Sequence, residues 1–322
     1  MTDVMDWKQD AVALIRAAAL APSSHNTQPW LFRLSDHEIQ LAADRTRTLP
    51  VNDPDDRELT ISCGCALLNL RVAAASRGLD TGMALLPEGL QTDLLGRLEF
   101  KRKDQPAAPA DDLVNAIERR RTYRKEFAGS PVEDEVIDCL LNAARIEGAW
   151  LQPVLDEESR RRLGELVAVG DAKQWANPRW RRQLAAWIRP RRQGDGLTVP
   201  NLAAPVTRLV VCMFNMGRII GARNRDLVNG APLLAVLGHD GDGPHDWLVV
   251  GQALQRVLLT ACSHGLQASF LNQPVQIVSL RPELQNLIGK GLPQVVLRFG
   301  YPKEGVPAAP RRPVETLIES VA

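Results

Sequence analysis

Two stretches of the chain gather residues able to hold a charged or heteroaromatic small molecule. In the first, Arg119, Arg120 and Arg121 close an expected helix, and Thr122, Tyr123 and Arg124 follow. Guanidinium forks match phosphate oxygens two at a time, and an intervening hydroxyl and backbone N–H groups add donors. The same run also reads as a solvated basic helix end that complements the helix dipole. The second stretch is APSSHNTQPW, from Ala21 to Trp30. Pro22 ends a helix there, so Ser23, Ser24 and Asn26 present short polar side chains and backbone N–H groups in a fixed turn, with Gln28 just beyond. Such a rim suits an aromatic heterocycle carrying carbonyls and ring nitrogens, although by composition it is only a loop.

Other polar clusters carry less. Cys63-Gly-Cys65 lies where a helix needs small residues, with no second Cys/His pair, so a zinc site is not expected. The run GHDGDGPHD from Gly238 to Asp246 holds two histidines and three aspartates, but it joins an expected strand to an expected helix, where such turns are routine. His25 could donate a proton; a solvent-facing or capping role is the simpler expectation. No GxGxxG, P-loop, HExxH or GxSxG occurs.

The elements that must position these residues alternate between helix and strand. DAVALIRAAALA has helical spacing, WLFRL and HEIQLAA read as paired strands, and a long helix runs through ELTISCGCALLNLRVAAASRG. MALLP and RLEFKRK follow as strands, and QPAAPADD is the clearest linker. Beyond it, helices are expected at DLVNAIERRR, EVIDCLLNAA, ESRRRLGELVAV and WRRQLAAWI. The strand LLAVLGH, the helix DWLVVGQALQRVLLTACSHG and the strand QVVLRFG lead to a proline-rich extended arm.

An internal repeat organises this series. Gly64 to Leu79 matches Gly251 to Leu266, 187 positions later, at seven of 16 residues, including both glycines of each segment. A weaker echo sets Ala19–Pro29 over Ala143–Pro153, with Gln28-Pro29 on Gln152-Pro153. The second copy then carries extra sequence between about Val154 and Asp246. The copies are unequal: the first keeps the polar loop and the second keeps the basic run, as expected if two sites decayed to one shared site. Alanine-rich helices resemble one another in any case; the matched glycine spacing favours duplication.

A helix ending in PSSHNTQPW before a strand resembles the FMN loop of the nitroreductase family. RRRTYRKEF resembles its phosphate motif, GYPKEGVPAAPRRPVE its C-terminal arm, and ISCGCALLNLR with GLQASFLNQPVQ its Acg-like branch. The resemblance implies an α+β, FMN-dependent nitroreductase-like fold. The two tandem halves, residues 1–108 and 109–322, would form an intramolecular pseudo-dimer holding one FMN. Arg120, Arg121, Thr122 and Arg124 would hold the phosphate, helped by Arg311 or Arg312. Pro22, Ser23, Ser24, Asn26 and Gln28 would cover the cofactor, and Leu271 and Asn272 would pass by the ring. The family's aromatic residue commonly stands one position earlier than Phe127. In the Acg-like branch, extra sequence such as that around Trp175, Trp180 and Trp187 is associated with a lid; a helical extension with a tryptophan core fits equally well.

Two activities follow from the resemblance. NAD(P)H would reduce FMN, which would reduce a small-molecule electron acceptor such as a nitroaromatic or quinone; or a lidded protein would sequester or store FMN with little turnover. A flavin-free pseudo-enzyme would have lost its arginines, and they are present. No catalytic residue and no metal ligand is named. A formal charge of +1 over 322 residues with 45% hydrophobic content suits a folded globular chain and argues against broad nucleic-acid or membrane-surface binding. No leader and no run of about 18 uninterrupted apolar residues is seen, and five cysteines suit reduced thiols in a cytoplasmic protein, monomeric as a pseudo-dimer.

Overall fold

A computed structural model describes residues 7–102 and 112–319. The expected linker QPAAPADD and the 108/109 boundary fall outside these residues, except for Asp112. The first part contains α1 (Trp7–Ala18), β1 (Trp30–Ser35), β2 (Glu38–Ala43), α2 (Arg57–Ser76), β3 (Leu79–Leu85) and β4 (Leu94–Arg102). The second opens with α3 (Asp112–Arg119), α4 (Asp134–Ile146) and β5 (Trp150–Pro153). It continues through α5 (Glu157–Ala176), α6 (Pro178–Ala186), β6 (Ile188–Pro190), β7 (Leu197–Val199), α7 (Ala204–Met213) and α8 (Gly217–Asn229). Then come β8 (Leu233–His239), α9 (Pro244–Ser263), β9 (Gln267–Phe270), the one-turn α10 (Gln273–Gln276), α11 (Arg281–Ile288), β10 (Leu292–Gly300) and β11 (Ile318–Glu319).

Each part has its own sheet. The first is ordered β11-β1-β2-β4-β3 and the second β5-β8-β10-β9; β6 and β7 form a separate parallel pair. The main apolar core runs between the sheets, filled by Leu14, Trp30, Phe32, Leu67, Leu140, Val257 and Phe299 among others. Helices α2 and α9 make the most extensive helix pairing at its centre. Their crossing has no room for a side chain. A Cβ on Gly64 would come within 2.8 Å of the Gly251 Cα, and one on Gly251 within 2.2 Å of the Ile61 carbonyl oxygen. Glycine therefore sets the interhelical distance. These are the first two matched glycines of the repeat, so its copies meet at their equivalent points. Cys63 and Cys65 flank this crossing as small buried residues, their thiols pushed up by burial, Cys65 to about 12.

By length and composition α2 could cross a membrane, a property the absence of an uninterrupted apolar run did not anticipate. Here nearly its whole length is buried in the core, which accounts for the apolar content. The tail, read as an extended arm, forms no α-helix from Tyr301 to Glu319. It crosses to the first sheet, where β11 pairs in parallel with β1, Phe32 opposite Ile318.

The weaker echo does not hold in detail. Gln28-Pro29 lie before β1, whereas Gln152-Pro153 lie inside β5, paired with Val236 and Ala235. Without the prolyl turn, the second copy runs from α4 through one left-handed Gly148 straight into its strand. The extra sequence is almost wholly the α5–α8 region. Gly221 of α8 packs on Ala168 of α5, and Gly170 of α5 packs on Gln273. Trp175 and Trp180 are buried with Ile188 and Val211 in a core of their own, their rings meeting edge to face at 5.6 Å. Trp187 instead lies beneath the Arg189 guanidinium at 4.4 Å.

Candidate functional site

The loop after α1 is held by its own polar side chains. His25, Asn26 and Gln28 all have positive φ, near 50°, which non-glycine residues adopt only when their surroundings fix them. Ser23 Oγ accepts from the Gln28 backbone N–H at 2.9 Å, closing the loop. Gln28 is fully buried; its amide donates to the Gly194 carbonyl at 2.9 Å and accepts from the Arg312 N–H at 2.9 Å. Asn26 donates to the Gly196 and Pro310 carbonyls. Two of the expected loop residues, Asn26 and Gln28, therefore bind chain segments far away in sequence.

Ser24 Oγ donates to Glu58 at 2.6 Å. Glu58 lies at the start of α2, is buried, and also accepts from Gln276 at 2.7 Å and from Asn52 at 3.3 Å. It links the polar loop to α10, directly after Asn272. Beside it, the Asp53 carboxylate accepts the Glu58 and Leu59 N–H groups and caps α2. Burial and then the Glu58 charge push Asp53 up to about 6. Neither carboxylate was singled out from sequence, because NDPDDRE reads as an exposed acidic loop.

The basic run splits by residue. The α3 helix stops at Arg119, so Arg120 and Arg121 follow as non-helical residues. Arg120 is buried, with Nη2 donating to the Leu20 carbonyl at 3.1 Å and Nε without a partner. Arg311, from the arm, donates to the same carbonyl at 3.1 Å and to Ala19 and Ala21. Arg121 folds back onto backbone carbonyls, including that of Arg120 at 2.9 Å. Burial and then the neighbouring Arg120 and Arg121 charges push Arg311 down to about 9; burial, with Arg121 adding to it, lowers Arg120 to about 10. Among the described residues these three meet no carboxylate, and the cation-rich cleft with an unsatisfied donor fits a phosphate group.

Thr122 bridges Ala268, extending the second sheet beyond β9. Arg124 is exposed and close enough to His25 to depress it further, after burial, to about 4. His25 is neutral at ordinary pH. The residue is half-buried and its Nδ1 is enclosed without a partner, so that nitrogen makes no capping bond. Arg312 turns away from the other arginines, bonding Gln28 and reaching Asp44 at 3.4 Å. Leu271 is core, and the Asn272 side chain accepts from the Val296 N–H at 3.0 Å. Phe127, one position later than the family norm, is buried and stacked on Tyr123 at 5.2 Å.

The Nitroreductase family model matches residues 117–301, more than half the chain and most of the second part. The chain belongs to the nitroreductase family. A Mycobacterium tuberculosis relative in the family is 30% identical over 321 residues, covering 95% of this chain and 90% of its own length. A second from that organism, named "Putative NAD(P)H nitroreductase acg", is 26% identical over 332 residues, covering 99% and 98%. Among solved structures, the FMN and NADPH-dependent nitroreductase NfnB from a Sphingopyxis species is 19% identical with a TM-score of 0.46, covering 65% of this chain and 99% of its own. The α+β architecture of this chain and its Acg-like motifs agree with that membership.

Proposed function

We propose that this nitroreductase-family chain binds one FMN between its two parts and acts as an NAD(P)H-dependent oxidoreductase on small electrophiles such as nitroaromatics or quinones. The carrying observation is the convergence of Arg120, Arg121 and Arg311 at the C-terminal end of α1, with a buried unpartnered Nε and, among the described residues, no opposing carboxylate. These side chains would hold the phosphate; Thr122 and Arg124 continue along the same edge. Ser23, Ser24 and Asn26 would border the ring from the first part, with Leu271 and Asn272 opposite. FMN, when bound, supplies the hydride chemistry. The chain supplies position, charge and exclusion of water: neutral His25 and the Glu58–Ser24–Gln276 bonds keep the rim fixed. The Gly64–Gly251 meeting supports the pseudo-dimer, with residues 1–108 and 109–322 as its halves and one site surviving.

A specific observation favours a second reading, in which the α5–α8 region is a lid and the protein holds flavin with little turnover. The Gly196 N–H donates to the Asn26 carbonyl at 3.1 Å, Trp180 Nε1 donates to Asn52 at 2.9 Å, and Arg191 donates to the Ala308 carbonyl at 2.7 Å. This region is thus fastened to both the loop and the arm.

An absorbance spectrum of the purified protein, then anaerobic NADPH or NADH, separates the two. One FMN per chain that bleaches within seconds supports the reductase; a yellow protein reduced only by dithionite supports storage. A colourless protein that does not take up FMN overturns both. Changing Arg120 and Arg121 together to Ala should release FMN with the fold retained by circular dichroism; normal FMN retention would remove the phosphate assignment.

A further inference from the structure

On the other side of the Thr122–Arg124 segment lies a cavity of about 540 Å3 that neither reading of the flavin site uses. Tyr123 and Lys125 line the cavity, whereas Arg124 between them does not and its charge acts on His25. Its floor is Arg298 of β10, its roof is Arg223 and Leu227 of α8, and Phe127 forms an aromatic wall. Volumes of this size accept small organic ligands.

Arg298 is the unusual group. It is 1% exposed, making it one of the largest fully buried side chains of the protein. Its guanidinium lies over the Phe127 ring at 4.7 Å, and Nη2 donates to the Tyr123 and Lys125 carbonyls at 3.0 and 2.9 Å. Nε has no partner, and no carboxylate reaches the guanidinium within ion-pair distance among the described residues. A buried cation with an unsatisfied donor is costly to leave alone. Burial, and then the nearby Arg223, push Arg298 down to about 10, so a second cation stands close to the first.

The remaining charges cancel at the rim. Lys125 pairs with Glu304 at 2.7 Å and Lys303 with Glu126 at 3.1 Å, tying the basic segment to the start of the arm. With Asp226 included, four cationic and three anionic residues line the cavity, leaving one positive charge, centred on the arginines. A single negative charge balances that set. A phosphate dianion would instead overfill it and approach Asp226 and the rim glutamates. We propose that this cavity is a second ligand site, separate from the flavin site, that takes a small organic monocarboxylate. The carboxylate sits between Arg298 and Arg223, and the apolar body lies against Phe127 and Leu227.

Isothermal titration with benzoate and, separately, inorganic phosphate tests this on the full chain. Replacing Arg298 risks the Tyr123 and Lys125 carbonyl bonds, so the informative variant is Arg223→Gln, on an exposed helix face. Arg121→Ala is the control for the arginine cluster at Leu20. Benzoate should bind one per chain at millimolar concentration or below and more tightly than phosphate. Arg223→Gln should weaken it at least about tenfold, and Arg121→Ala should leave it unchanged. No benzoate binding, equal affinity in Arg223→Gln, loss in Arg121→Ala instead, or tighter phosphate binding would each overturn the proposal. None of these readouts depends on flavin.

Discussion

The α2–α9 crossing and the loops that precede the first strand of each part obey different constraints. At the crossing the two copies remain alike, because any Cβ on Gly64 or Gly251 would collide with backbone across the interface. Backbone cannot give way there without shifting both helices. At the loops the copies have separated completely. The first has three positive-φ residues, two of which, Asn26 and Gln28, are held by hydrogen bonds to the arm and to the α5–α8 region; the second is a single glycine turn into β5. Packing without slack preserves a repeat, while a solvent-side connection is free to gain a site or lose one.

That contrast can be broken most severely at its centre. Gly251→Leu should cost at least about 3 kcal/mol in denaturant unfolding, through displacement of α2. A cost below 1 kcal/mol would mean the helices separate easily and the glycines are not required. Next is Glu58→Ala, which leaves the Ser24, Gln276 and Asn52 donors without their acceptor. A loss of roughly 2–4 kcal/mol is expected, together with weaker FMN retention. Retention unchanged alongside lost stability would separate Glu58 from the site.

A smaller effect concerns pH. His25 titrates near 4 in the folded chain and near 6.5 when unfolded. Between those values the unfolded chain binds more protons, so the contribution of His25 is complete above pH 6.5 and is lost as pH falls towards 4. His25→Asn tolerates the positive φ and removes that proton, so it should shrink the stability difference between pH 7 and pH 4.5 by about 1–2 kcal/mol. An identical pH profile would place His25 in water. Smallest of all is Arg33→Ala, which breaks a half-exposed pair with Glu319 that joins β1 to β11. Below about 0.5 kcal/mol is expected by thermal melting; a larger loss would make that seam a principal support of the first sheet.

Much of this architecture was legible where period and punctuation agree. LLAVLGH matches β8 residue for residue, and WLFRL with HEIQLAA gave the β1–β2 hairpin. The glycine-matched repeat marked the two helices as related, although nothing in it showed that they cross at those glycines. Short strands were not legible: β6 and β7 have three residues each, too few to show alternation, and β9 lies in a segment readable only by resemblance. In the site, the arginines and the polar loop stood out because their residue types are uncommon together. Glu58 and Asp53 did not, since an acidic cluster before a helix has the same composition whether it faces water or is buried. Gln276 and Arg298 sit among apolar neighbours, where nothing but three-dimensional packing reveals that a polar head is enclosed.

The arm has a consequence for the order in which the protein is made. Strand β1 is complete near residue 35, but its parallel neighbour β11 consists of residues 318 and 319. During synthesis on the ribosome the first sheet therefore waits, one edge open, until residues 318 and 319 have emerged. Arg311 and Arg312 arrive with that closing strand. The nascent chain has its polar loop early but lacks the carbonyl-capping guanidinium of Arg311 and the Gln28 contact of Arg312 until those late residues have been added. Closing the sheet and completing the arginine cluster are thus one late event, and a premature stop before residue 311 removes both together.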